Sequence, residues 1–193
     1  MAHARSRGDE TMFGQGKLSA VENLKEPRIH ALPHQTMLVT TATGDPAKTS
    51  GAAISKLFKA YFRIRGAVGA PRAVAPRARW PTPFDAPRES WVGHFGLPLP
   101  AGAQRTISER GGIGFPDVTI ETWDYGEVAE VLHVGPYEDE ATTVARLQGF
   151  LDAQGYHIVG PHEEEYVKGP GMIFRGDPKK YLTVLRYQVT KKR

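Results

Sequence analysis

The run Glu163-Glu164-Glu165-Tyr166 brings three carboxyls and a phenol into four successive positions. In an extended strand alternate side chains point to opposite faces, so Glu164 and Tyr166 share one face and Glu163 and Glu165 the other. A carboxylate withdrawn from water beside aromatic rings attracts a delocalised organic cation, because the two have little hydration to recover elsewhere. Such a carboxyl also holds its proton more tightly than usual, which suits a general base acting on water. The residues alone leave two readings open, a pocket face or three solvated glutamates on an edge strand. Trp91, Phe95, Tyr137 and Tyr187 are the candidate aromatic walls, since aromatics give large contact area and a negative π face. His133 is a candidate polar lining residue, with a backbone-bonded strand histidine as the plain alternative.

Other chemistries are excluded by what the sequence lacks. It has no cysteine, so there is no disulfide framework, thiol catalysis or cysteine-held zinc, and a reducing compartment is expected. Its seven histidines show no HExxH or paired ligand spacing, so neither a metal nor a cofactor is expected. Gly111-Gly112-Ile113-Gly114 lacks the Lys-Ser/Thr of a phosphate loop, and no Gly-x-Ser-x-Gly elbow occurs. The net charge of +4 is uneven: residues 1–80 hold 13 Lys/Arg against 5 Asp/Glu, the remainder 12 against 16. The basic residues are scattered singly among Ala, Pro and Gly, so no nucleic-acid surface is expected. The acidic second half suits a cationic ligand or a solvated face. No apolar run approaches the roughly 18 residues of a spanning helix, and residues 1–16 lack the apolar centre of a secretion signal. A cytoplasmic protein without membrane contact is expected.

These side chains need a scaffold, and 193 residues with 40% apolar content are enough for one core. Residues 1–26 read as a polar, poorly ordered tail and 27–193 as a single domain with halves at about 27–100 and 117–193. Thr36 to Thr43 is a β-branched strand ending at Gly44-Asp45-Pro46. Ala53, Ile54, Leu57, Phe58, Tyr61 and Ile64 recur at helical spacing within 50–65. Five prolines within 66–87 predict a loop or irregular edge strand, 90–99 a strand, and 101–117 a Gly-rich connector. Two strands are expected within 118–134 as a hairpin about Asp124-Tyr125-Gly126, then a helix over 138–154 stopped by Gly155. Strands over 156–167 and 181–190 close the chain.

Each half thus reads as a strand, a Gly-containing turn, a helix and two strands, with Gly44 and Gly135 91 residues apart. Duplication predicts an α+β fold: two strand-helix-strand-strand units in one antiparallel sheet, two helices on one face, and a central ligand groove.

The segment from Gly126 through His133-Val134-Gly135-Pro136-Tyr137, with its helix, Gly155-Tyr156, Glu163 to Met172 and Tyr181 to Tyr187, resembles the GyrI-like small-molecule-binding family over about residues 118–190. Weaker echoes lie in Gly44-Asp45-Pro46, the face from Ile54 to Tyr61, and Trp91-Val92-Gly93. The resemblance implies a groove with a buried carboxylate that receives hydrophobic, aromatic and often cationic compounds, and it assigns that carboxylate to Glu164, with Tyr166 beside it. Relatives are effector-binding halves of multidrug-responsive regulators, gyrase-inhibitor antagonists, and detoxifying hydrolases that open the cyclopropane of DNA-alkylating natural products. A tail of about 26 residues cannot supply a regulator's DNA-binding domain, so a stand-alone binder is expected. The alternatives are a metal-free hydrolase using Glu164, Tyr166 and Tyr187, or a protein partner such as gyrase. The high Ala, Arg, Gly and Pro usage suits a bacterial source.

Overall fold

The computed structural model describes residues 21–68, 74–83, 85–170 and 176–192, and most of the expected tail lies outside them. Nine strands and three helices are present among the described residues: β1 (Arg28–Leu32), β2 (Gln35–Thr43), α1 (Pro46–Val68), β3 (Arg77–Trp80), β4 (Val92–Pro98), α2 (Ala103–Glu109), β5 (Thr119–Trp123), β6 (Gly126–Val134), α3 (Glu140–Gln154), β7 (Tyr156–Ile158), β8 (His162–Lys168) and β9 (Leu182–Lys191). Eight strands form one antiparallel sheet in the order β1-β6-β9-β8-β3-β4-β2-β5, and β7 adds to β9. The order is palindromic in roles. The pair β3/β8 stands at the centre, flanked by β4 and β9, then β2 and β6, then β5 and β1.

Alternation along the strands sorts their residues between two layers. On the convex face, α1 lays Ala53, Leu57, Ala60, Tyr61 and Ile64 over Leu38, Ala78, Trp80, Phe95 and Leu97. The other helix, α3, lays Leu147 and Leu151 over Ala129, Val131, Leu185 and Tyr187. Asp45 starts α1 by accepting the Ala47 amide at 3.1 Å, and Pro46 needs no amide partner there. Gly155, at φ 72°, ends α3 in the left-handed conformation that costs other residues a Cβ clash.

The concave face is partly ionic. Arg186 pairs with Glu130 at 2.5 Å, with Glu165 at 3.1 Å and with Glu163. Arg79 reaches Glu163 at 2.7 Å and Arg77 reaches Glu165 at 2.9 Å. Tyr125 receives a hydrogen bond from Arg77 at 2.7 Å and donates to Glu163 at 3.1 Å. Burial alone would raise the Glu130 carboxyl, but the Arg186 charge and hydrogen bonds from His30 and Arg186 hold it below the usual range.

Four local expectations are corrected. Residues 77–80 form a central strand, not a loop or edge, because Pro76 and Pro81 bracket a proline-free stretch whose arginines face Glu165 and Glu163 in register. The connector 101–117 contains α2, which buries Ala103 and Ile107. Asp124-Tyr125 is no hairpin turn. It links β5, paired with β2, to β6, paired with β1 and β9, so the sheet curls until its two ends share one core of Met37, Val39, Trp123, Tyr125 and Val128. The segment 156–167 divides at Gly160-Pro161 into β7 and β8.

Candidate functional site

Strand β8 points His162, Glu164 and Tyr166 toward the helices and Glu163 and Glu165 into the ionic network on the other side. The neighbouring strand β9 adds Tyr187 to the helix side, and the turn leading into α3 adds Tyr137 and Glu140. That turn is set by Gly135, at φ 139°, and Pro136 before the short 3-10 turn Tyr137–Asp139. The result is a group of carboxyls, phenols and one imidazole under the start of α3, close to the centre of the sheet.

Both oxygens of Glu164 are engaged. Tyr166 donates its hydroxyl to one at 2.6 Å, and His162 Nε2 lies 3.2 Å from the other. His162 Nδ1 is 2.6 Å from the Tyr187 hydroxyl. If Tyr187 donates to Nδ1, the Nε2 proton faces Glu164, giving a continuous chain of hydrogen bonds. The Glu164 side chain is 12% exposed. Among the described residues no lysine or arginine pairs with it or with Glu140.

Glu140 is the second carboxyl. One of its oxygens is buried without a hydrogen-bond partner, and single ligating atoms of Glu140, His162 and Glu164 all lie within 4.8 Å of one another. Burial first, then the charges of Glu164 and Glu138, push its carboxyl up to about 9. At neutral pH it is therefore a neutral acid beside Glu164. Among the described residues these three side chains could together hold a metal ion.

The aromatic walls are mostly tyrosine. Tyr137 packs edge-on to Tyr166 at 5.8 Å and tilted on Tyr181 at 5.6 Å, and it remains 38% exposed at the mouth of the group. Its hydroxyl approaches Gly169, where a Cβ would stand 3.0 Å away. Burial, and then the Glu164 charge, raise the phenols of Tyr137, Tyr166 and Tyr187 well above their ordinary range, so all three stay neutral.

The structure therefore brings together Glu164, Tyr166, Tyr187 and Tyr137. Trp91 and Phe95 stand elsewhere, buried with Trp80 in the core under α1, where Trp91 donates to the Ala86 carbonyl at 2.9 Å. Tyr166 touches that core from the site side. His133 is buried between Thr143 Oγ1 at 2.9 Å and the Pro136 carbonyl at 3.0 Å, so it braces the turn that carries Tyr137 and Glu140. Glu140, His162 and Tyr181 were absent from the sequence-based candidates. The alternation His162-x-Glu164-x-Tyr166 was a usable signal for the histidine, whereas Glu140 lies within the acidic run Glu138-Asp139-Glu140, where nothing local marks one carboxyl as buried.

No family model matches the chain, and no curated protein matches it. Solved structures do. An uncharacterized conserved protein from Listeria innocua superposes with a TM-score of 0.73 at 22% identity, over 92% of this chain and 98% of that one. A hydrolase from Listeria innocua gives 0.71 at 20% identity, with the same coverage. The C-terminal domain of EcmrR gives 0.59 at 13% identity, over 86% of this chain and 98% of that one. At these identities the likeness shows the fold alone, and that fold fits the GyrI-like resemblance read from residues 118–190. Among the described residues no helix is long and apolar enough to cross a membrane.

Proposed function

We propose that this protein captures hydrophobic, aromatic and often cationic small molecules at the Glu164 group, serving as a drug- or toxin-binding module. One observation carries the reading: a carboxylate at 12% exposure, walled by tyrosines, that no lysine or arginine among the described residues neutralises. A largely buried carboxylate whose only possible cationic partner among the described residues is His162 is a favourable place for an aromatic cation, which supplies both charge and π contacts. Tyr137, half out in solvent, is the side chain that would move to admit it.

The test is fluorescence titration with rhodamine 6G. Affinity should fall at least about tenfold in Glu164→Gln, the scale of one charge-assisted contact. Equal affinity in the variant would refute the reading.

A second reading has an observation of its own. A Glu140 carboxyl kept protonated by burial lies beside Glu164, and two carboxyls so placed can act together as an acid and a base. In a cyclopropane-opening hydrolysis, Glu164 would take a proton from water as its oxygen bonds the ring carbon. The broken C–C pair would pass through conjugation to a carbonyl oxygen, which a phenol or Glu140 would protonate. Mass spectrometry of a cyclopropane-bearing alkylating agent incubated with the protein decides this: a product heavier by one water, absent with Glu164→Gln, supports turnover, and unaltered agent supports capture alone.

A further inference from the structure

Glu164 has the Tyr166 hydroxyl on one oxygen and His162 Nε2 beside the other, which leaves lone pairs on both for a ligand donor. Glu140 differs. Its buried oxygen has no donor, although Glu140 opens α3 and offers a ligating atom within 4.8 Å of one on Glu164. Leaving a buried acceptor unmatched is unfavourable, and a ligand N–H that reaches it recovers that loss on binding.

The spacing bears on what kind of donor fits. A carboxyl oxygen of Glu140 and one of Glu164 lie within 4.8 Å of each other. A nitrogen bearing two hydrogens, with bonds of about 2.9 Å splayed at about 120°, spans two acceptors about 5 Å apart. An amino or amidinium nitrogen therefore suits the pair, with its conjugated ring directed toward Tyr137 and Tyr166. A quaternary onium ion brings charge but no hydrogen, and leaves the Glu140 oxygen as it was. Nearby groups are engaged with one another: Tyr166 donates to Glu164, and His162 lies between the Tyr187 hydroxyl and Glu164.

We infer that the site selects planar aromatic cations that carry an N–H2 donor, protonated amino-heteroaromatics or aryl amidinium ions, and that Glu140 is the residue that reads the donor. This rests on the proposed cation-binding role of the same group and narrows it to one ligand class. It also explains a carboxyl with an unpartnered oxygen at the entrance of a helix: the partner is brought by the ligand.

The experiment compares two planar tricyclic monocations that differ mainly in the donor, 9-aminoacridine and 10-methylacridinium, by calorimetric titration of the full chain. Wild type should bind 9-aminoacridine roughly tenfold to a hundredfold more tightly, the range expected when a site built for a hydrogen bond meets a ligand lacking it. In Glu140→Ala that ratio should fall toward one. Should the variant fold poorly, the wild-type ratio alone decides. Comparable binding of both compounds by wild type overturns the inference while leaving cation capture standing. Failure of both compounds to bind removes both readings together, and a ratio that persists in a folded Glu140→Ala moves the selection away from Glu140 and overturns its role.

Discussion

Replacing Glu140 by glutamine should make the protein more stable, and increasingly so as the pH rises. The side chain is held at about 9 by burial and by Glu164 and Glu138, against an ordinary value of 4.5. A carboxyl raised on folding binds its proton more tightly in the native state, so ionising it opposes folding. Its contribution is fully present below the unfolded value near 4.5 and is lost progressively as pH climbs toward 9. At pH 8 the full linkage would amount to about 5 kcal/mol, at about 1.4 kcal/mol per unit. Water reaching the partly exposed side chain screens some of this, so about 2–3 kcal/mol is expected. For a chain of this size that is roughly 4–12 °C in Tm.

The assay is a set of thermal melts of wild type, Glu140→Gln and the exposed control Glu121→Gln at pH 5, 6.5 and 8. Wild type and Glu140→Gln should nearly coincide at pH 5 and separate by pH 8, with the control tracking wild type throughout. Parallel curves with a constant offset, or a Glu140→Gln protein less stable at pH 8, would refute the placement of Glu140 in a largely buried, negatively charged site. A carboxyl that weakens the fold at neutral pH and is replaceable by its amide with a gain in stability is the trade expected of a residue kept for binding or chemistry.

Two further perturbations test the frame that holds the site. Arg186→Met removes the cation shared by Glu130, Glu163 and Glu165 and strands buried carboxylates, so chemical denaturation at pH 7 should show a loss of about 3–5 kcal/mol; a neutral outcome would mean those carboxylates are far wetter than their burial implies. Gly93→Ala places a Cβ 2.7 Å from both Phe95 and Trp80, so about 1–3 kcal/mol of overpacking strain should appear as a lower Tm, while the open helical position Gly51→Ala should be neutral or stabilising.

How far the sequence foretold all this varies with the range of the forces involved. Helices α1 and α3, the stop at Gly155 and the strands β2, β4 and β9 were legible because periodicity and caps are local. Strand β3 was not, because nothing within 66–87 says that Arg77 and Arg79 will meet Glu165 and Glu163 some 85 residues later. Asp124-Tyr125-Gly126 has hairpin chemistry, yet β5 and β6 pair with other strands, and only the curl of the whole sheet decides that. Alternation puts Glu164 and Tyr166 together on one face of β8, where the tyrosine donates to the carboxylate. It could not separate Trp91 and Phe95, which α1 covers, from Tyr137, which a turn delivers to the site, because that depends on which half of the sheet each helix lies over.

The two faces of β8 give the strongest argument about where a ligand belongs. Glu163 and Glu165 find Arg77, Arg79 and Arg186 within the chain, so their charge is matched before anything binds. Glu164, on the same strand between them, faces Tyr166, His162 and a second carboxyl, and among the described residues it has no arginine or lysine. One strand thus carries acidic residues on both faces with opposite provision for them. A fold that had only to bury glutamates would treat the two faces alike, as it does on the concave side. The unmatched face costs stability, and the pH dependence of Glu140→Gln measures that cost directly. A ligand bearing positive charge and N–H donors would relieve it, which is why the place to look for function is the helix side of β8 and not the more heavily charged network behind it.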